Sequence, residues 1–215
     1  MGRTVCLYLE SKEKIDFKKI NNFVKANFGL AVKAIKLKQG LIQTKGLAFD
    51  PVNTRRLFEK IRFKKSDIDI LLTDKLIATY DDSDKRLHLR AAIFGYPSVV
   101  SLSGIVEAPA KPREYYLQKQ KYSQLKVWGL KEEEVKRKFK NRFIDYQDTR
   151  LTEVLKGYIA QAVFFSHTGD PFCEKKTCRL FNAHWQEDLI KAQIKSGNFC
   201  NFHKEKLNKI KRQGE

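Results

Sequence analysis

No run of about 18 apolar residues exists anywhere in this chain, so no segment of it is built to span a membrane. Cysteine is sparse, with four among 215 residues, and no apolar N-terminal stretch marks the chain for export. A disulfide framework is therefore not expected, and a reducing, cytoplasmic setting is. Internal repeats, low-complexity blocks and inter-domain linkers are missing, which leaves one domain as the expectation. Also absent are a glycine-rich phosphate loop, a nucleophile elbow and a paired-acid motif, so the usual signatures of nucleotide, ester and glycoside chemistry do not apply. No aromatic RNA-binding strand, helix-turn-helix signature or finger spacing appears either.

Acidic residues are scarce relative to basic ones: 25 Asp and Glu against 43 Lys and Arg, a net charge of +18. Such an excess favours anionic partners, nucleic acid first and anionic membrane surfaces second. A lysine- and glutamate-rich solvated surface is the plainer account, because the cations are spread along the chain. They are densest over Lys119–Arg142, where Glu132, Glu133 and Glu134 suggest a helix face of opposed charges, and over the tail Lys204–Arg212, which is suited to phosphate contact or to a basic helix end. With 42% apolar residues and 15 Phe, the chain has enough to build a globular core.

The sharpest local signal lies near the C-terminus. Cys173 and Cys178 (CEKKTC) are followed, after one helix-sized stretch, by Cys200 and His203 (CNFH). Two pairs of thiolate or imidazole donors, each on a short loop, are what tetrahedral zinc takes. With all four positions filled by protein, the expectation is one structural zinc per chain and no chemistry at the metal. The competing readings are two buried cysteine pairs with a surface histidine, or disulfides. The charged Glu174, Lys175 and Lys176 between the first pair weigh against burial. Cys6 sits in an apolar run and reads as a small core residue.

Periodicity predicts an α/β (α+β) fold with a mixed central sheet and a long core helix. Residues 1–112 are expected to be mostly sheet with helices, 113–172 helical, and 173–212 a zinc-bound helical module. Strands are expected at Thr4–Leu9, Leu30–Leu37, Asp67–Leu72, Leu76–Tyr80, Leu87–Phe94 and Ser98–Ser103. Asp16 is placed to cap a helix carrying Ile20, Phe23, Val24 and Phe28 and ended by Gly29. A second helix follows Phe49–Asn53. The connector Glu107–Arg113 holds two prolines and reads as extended. The core helix, residues 149–167 with Asp148 or Thr149 as its cap, carries Leu151, Val154, Leu155, Tyr158, Ile159, Ala162 and Val163 at the spacing of a buried face. Trp185–Lys195 is a further amphipathic stretch, closed by Gly197.

The order of these parts has a counterpart. Leu72-Thr73-Asp74-Lys75-Leu76-Ile77-Ala78-Thr79-Tyr80 and Ala91-Ala92-Ile93-Phe94-Gly95-Tyr96-Pro97-Ser98-Val99-Val100-Ser101-Leu102 resemble the central sheet of the archaemetzincins, a family of zinc peptidases. More closely, Gly104–Tyr116, Arg150–Gly157 and Cys178–Glu187 resemble an archaeal family of uncharacterised metallopeptidase-like proteins, over most of the chain from about residue 65. The resemblance implies a metzincin-like fold and a closing zinc site. It does not carry the reaction. Setting the cysteine that ends the motif HExxHxxGxxH-C on Cys173 puts the three ligand positions at Ala162, Ser166 and Phe172, the glutamate at Val163 and the glycine at Gly169. Only the glycine is present. Activating water on zinc needs neutral imidazoles and a carboxylate base, and these side chains supply neither.

The expectation for function is therefore a metallopeptidase-like protein that keeps a cleft for a peptide or protein partner and has lost peptidase chemistry. The alternative is a nucleic-acid (RNA)-binding protein using its basic surface; a membrane is not an expected partner. His184 and Glu187, between the two ligand pairs, are candidates for lining a cleft. His184 is also a candidate to replace His203 on the metal, or to support the ligands from behind. Glu107, Arg113 and Glu114, flanking the connector, are candidates for a repurposed site or a structural ion pair. His88 reads as a packed or surface residue, and His167 as a helix-end histidine.

Overall fold

A computed structural model describes residues 4–62 and 68–214. The apolar run at the start forms β1 (Thr4–Glu10), which is central enough that nearly every residue is buried. Its alternation divides the core in two. Val5, Leu7 and Leu9 face the main core, while Cys6 and Tyr8 face a smaller cluster with Ile42, Phe58, Leu71, Ile77 and Val99. Cys6 is buried there, as its apolar surroundings predict.

β1 lies between β2 (Ala31–Lys36) and β5 (Ile68–Thr73), both parallel to it. β9 (Ser98–Ser101) continues the parallel order, and β8 (Ala92–Ile93) closes the sheet antiparallel, giving the order β2-β1-β5-β9-β8. Asp67, expected at the start of β5, lies outside the described residues. Parallel neighbours require crossovers, and helices supply them. α1 (Phe17–Phe28) begins where the Asp16 side chain accepts from Lys19 N and ends on Gly29 in the left-handed region. α2 (Pro51–Glu59) is capped by Asp50 in the same way. Each such cap contributes about 1 kcal/mol.

One difference from the expected single central sheet follows from the turns. β6 (Ile77–Asp81) and β7 (Arg86–Arg90) form a hairpin that leaves the main sheet and joins β3 (Thr44–Lys45) and β4 (Ala48–Phe49) in a second, four-stranded one. The strand expected over Leu87–Phe94 is thereby split between two sheets at Ala91. That break is held by Gly104, where any Cβ would overlap the Arg90 carbonyl. Gly104 belongs to α3 (Leu102–Glu107), whose first two residues were expected to end the strand Ser98–Ser103. The Ser101 hydroxyl accepts from Gly104 N at 2.8 Å and starts a helix at that point.

After the connector come α4 (Arg113–Gln124) and α5 (Trp128–Lys138), which bury Tyr115, Val135, Phe139 and Phe143 in a satellite cluster. α6 (Leu151–Thr168) is the core helix, with twelve buried residues and Gly169 as its left-handed end. It begins one or two residues later than expected, with Arg150 as cap. The Asp148 carboxylate does not cap through the helix interior but accepts from Arg150, from both its backbone N and its guanidinium. Among the described residues no helix is long and apolar enough to cross a membrane.

Candidate metal clasp and cleft

The C-terminal 40 residues hang on α6. α7 (Gln186–Ile190) runs into a π-helical stretch, Lys191–Ser196, which Gly197 ends at φ 60°. α8 (Asn201–Gly214) follows. Three buried glutamines and one arginine bind this segment to the body. Gln186 Nε2 donates to Ile105 O and Val106 O, and its Oε1 accepts from Ile144 N. Gln193 Nε2 donates to Arg179 O, and Gln161 Nε2 reaches Leu180 O and Phe181 O. Arg179, 5% exposed, donates to Gly197 O and Glu153 O. Gly157 on α6 is required by this docking, since a Cβ there would overlap the Gln193 amide.

This framework brings Cys173, Cys178, Cys200 and His203 together, with every pair of ligand atoms within 4.8 Å. Cys173 Sγ lies 3.9 Å from Cys200 Sγ, and His203 Nδ1 lies 3.8 Å from Cys178 Sγ and 3.2 Å from Cys200 Sγ. Tetrahedral zinc at about 2.3 Å from sulfur and about 2.0 Å from nitrogen sets edges of about 3.8 Å and about 3.5 Å, so the spacing fits the ion. Backbone amides are aimed at the sulfurs: Lys175 N at Cys173 and Cys200 N at Cys178. Cys200 also sits just before the first turn of α8, where the helix dipole favours negative charge. Burial pushes the Cys178 thiol up to about 12 and raises Cys173. Burial acts on Cys200 too, but the His203 backbone N–H and neighbouring thiols outweigh it and leave Cys200 lowered. His203, pressed against Phe164, is lowered by burial and held neutral, the form that ligates. The donor set and its spacing suit zinc, and His203 is held in the form that ligates, whereas Cys173 and Cys178 would have to give up their protons to the ion.

His184 is not part of the clasp. Its carbonyl accepts from Ala110 N while Gln186 N donates to Ala110 O, so the proline-bearing connector pairs with the His184 segment like two short strands. Between them and α6 lies a cavity of about 170 Å³, lined by Leu89–Ala92, Phe94, Ala108, Pro109, Tyr158, Gln161, Phe172 and Asn182–His184. His184 therefore does border a cleft. The other four candidates do not line it. Glu187, in the first turn of α7, and Glu114 both pair with Arg142, at 2.8 and 3.1 Å. Glu107 pairs with Lys111 at 3.7 Å. Arg113 opens α4, where the helix turns it out to solvent. For Glu107 and Glu114 the geometry is that of ion pairs, and Glu187, expected at the cleft, is in an ion pair as well. His88 bonds Asp84, and His167 bonds Val163 O at the end of α6.

The cleft floor is what sequence reasoning placed least well. Ala162 and Val163 are completely buried in the main core. The residues α6 turns toward the cavity are Tyr158 and Gln161, while Phe165, outside its lining, packs against Phe94 and Tyr96. Only the helix phase relative to the sheet reveals this. Tyr158 is held protonated by burial, and Gln161 Oε1 is buried without a partner. A larger cavity of about 530 Å³, between α5 and the loop before α6, is lined by Lys136, Arg137, Lys140, Asp145, Asp148 and Arg150 among others. Its charges largely pair with one another.

Comparison with known proteins adds two findings. Residues 36–210 match the sequence profile described as "Probable metallopeptidase family (DUF6775)". The crystal structure of a zinc-dependent peptidase from Methanocorpusculum labreanum (strain Z) superposes with a TM-score of 0.52 at 14% identity, covering 95% of this chain and 100% of that one. At that identity the likeness speaks for the fold. No curated protein matches.

Proposed function

This chain belongs to the probable metallopeptidase family, and from that premise we propose that it is a member whose zinc is a scaffold and whose cleft binds a peptide or protein segment without cleaving it. The observation that carries this reading is the make-up of the cleft floor. Besides Tyr158 and Gln161, the cavity lining offers a single imidazole, His184, too few to hold an open-sided metal, and no carboxylate to take a proton from water. The clasp, in contrast, has four protein donors and no position left for substrate. Zinc there would join the 173–181 loop to the start of α8, and its binding free energy would count toward folding that end of the chain.

The cleft supports a binding role in two ways. Its walls combine apolar side chains (Leu89, Phe94, Phe172) with a few polar groups (Tyr158, Asn182, His184), the usual composition of a recognition site. It also opens beside β8, an edge strand of the sheet. The resemblance of two stretches of the sequence to archaemetzincins would fit the same arrangement. Metal analysis of the purified protein together with a peptide-library hydrolysis assay tests the proposal. We expect one zinc per chain and no turnover. Two metals per chain with hydrolysis abolished by chelation would overturn it.

A further inference from the structure

The basic excess is not spread evenly over the folded surface. From Phe17 to Phe49 the chain contains seven lysines and no acidic residue, and α8 carries five cations and one acid, Glu205. These two segments are packed together. The α1 and α8 helices are in contact, and the Lys211 side chain lies against Gly29 at the end of α1, where β2 begins. On α5, in contrast, Lys131, Lys136 and Lys138 are each matched by Glu132, Glu133, Glu134 or Asp145, although Lys119, Lys121, Lys126 and Lys140 around them make no ion pair among the described residues. None of Lys18, Lys25, Lys204, Lys209, Lys211 and Arg212 makes an ion pair among the described residues.

We propose that the face formed by α1, β2 and α8 binds the phosphate backbone of a nucleic acid. Lysines without carboxylate partners have counterions to release, which is the main source of such affinity. Exposed Asn22, Asn201 and Asn208 add the neutral donors that commonly accompany lysine on phosphate and sugar. Phe202, 57% exposed with Lys206 Nζ 4.5 Å from its ring centroid, offers a stacking surface for an unpaired base. It is also the only large apolar side chain exposed on these three elements among the described residues, which disfavours a membrane, since a membrane-seeking face buries an apolar stripe. Phe202 lies between the clasp ligands Cys200 and His203, so the loop that holds the metal also sets this ring at the head of the basic helix. This surface is separate from the cleft and does not depend on what the cleft binds.

Fluorescence anisotropy with labelled 20-nucleotide single-stranded RNA and DNA tests the proposal. Binding at 50 mM salt should weaken roughly 100-fold by 200 mM, as about five phosphate contacts require. A variant with Lys18, Lys25, Lys204 and Lys209 changed to Glu should lose at least about 10-fold in affinity and show a shallower salt slope. The control, Lys119, Lys121, Lys126 and Lys140 changed to Glu, has the same net charge and should lose less than about 3-fold. Far-UV circular dichroism and zinc content establish that both variants fold. If the first does not, the same positions changed to Gln replace it. Equal losses in both variants, no binding to either strand, or binding only to phosphatidylserine vesicles would each overturn the proposal. RNA and DNA binding alike would mark a backbone reader, and preference for RNA would point to contacts with the 2′-hydroxyl; either outcome supports it.

Discussion

The clasp and the cleft floor are both built against α6, and their chemistry is different. At the clasp every donor converges, amides are aimed at the sulfurs, and Gln193 and Arg179 hold the surrounding loops. At the floor the residues that α6 turns toward the cavity are an aromatic and an amide, Tyr158 and Gln161. The difference shows which of the two the fold depends on. Much of the C-terminal segment has its apolar side chains in the main core, including Cys178, Leu180, Leu189, Phe199, Leu207 and Ile210. Loosening the clasp would therefore open the core, whereas on the floor Gln161 also holds Leu180 O and Phe181 O and Tyr158 also packs in the main core, so only conservative changes there leave the fold untouched.

Breaking the clasp should have the largest effect. Cys178→Ser removes a fully buried ligand, and with structural zinc worth on the order of 10 kcal/mol in small modules we expect loss beyond the roughly 5 kcal/mol that already marks an exceptional substitution. Thermal melts with and without a chelator check it; a melting temperature indifferent to both treatments would mean that the clasp is not a metal scaffold. Next comes Gln186→Leu, which strands Ile105 O, Val106 O and Ile144 N in the interior. A cost of about 2–4 kcal/mol by urea denaturation is expected, and a cost near zero would show that the connector is not pinned there.

Gly157→Ala presses a methyl group into the Gln193 amide and should cost about 1–3 kcal/mol, measured in the same way. Asp148→Asn addresses the entry to α6. Burial opposes ionisation of Asp148, yet its bonds to Arg150 hold the carboxyl below its usual value. Its contribution is thus present above the ordinary carboxylate value near about pH 4 and is lost as pH falls through the lowered one. We expect a loss of about 1 kcal/mol at neutral pH and a flatter decline of stability with acid; an unchanged pH profile would refute the pairing. Smallest of all, Tyr158→Phe and His184→Ala on the cleft should each move stability by less than about 0.5 kcal/mol and leave zinc content at one per chain. Zinc lost from the His184 variant would transfer the fourth ligand role from His203 to His184.

Much of this was legible in local pattern. The ligand pairs, the caps at Asp16 and Gly29, the face of α6 and its stop at Gly169 are short-range features whose chemistry lies within a few residues. The misplacements share a cause: each depended on a partner far along the chain. The Leu87–Phe94 run looked like one strand because nothing local marks the point where α3 packs against Ala91. Glu107 and Glu187 looked like cleft acids until Lys111 and Arg142 were found beside them.

What the amino-acid order decided alone was that two loops each carry a pair of thiol or imidazole donors and that α6 is a buried helix. Tertiary structure decided the rest: that the four donors meet at metal spacing, that α6 faces the cleft through Tyr158 and Gln161, and that lysines far apart in the chain share one acid-poor face. The reason is physical. Helix caps and ligand spacing are set by a few adjacent bonds, whereas the rotation of a helix and the grouping of charges are set by which apolar surfaces pack together.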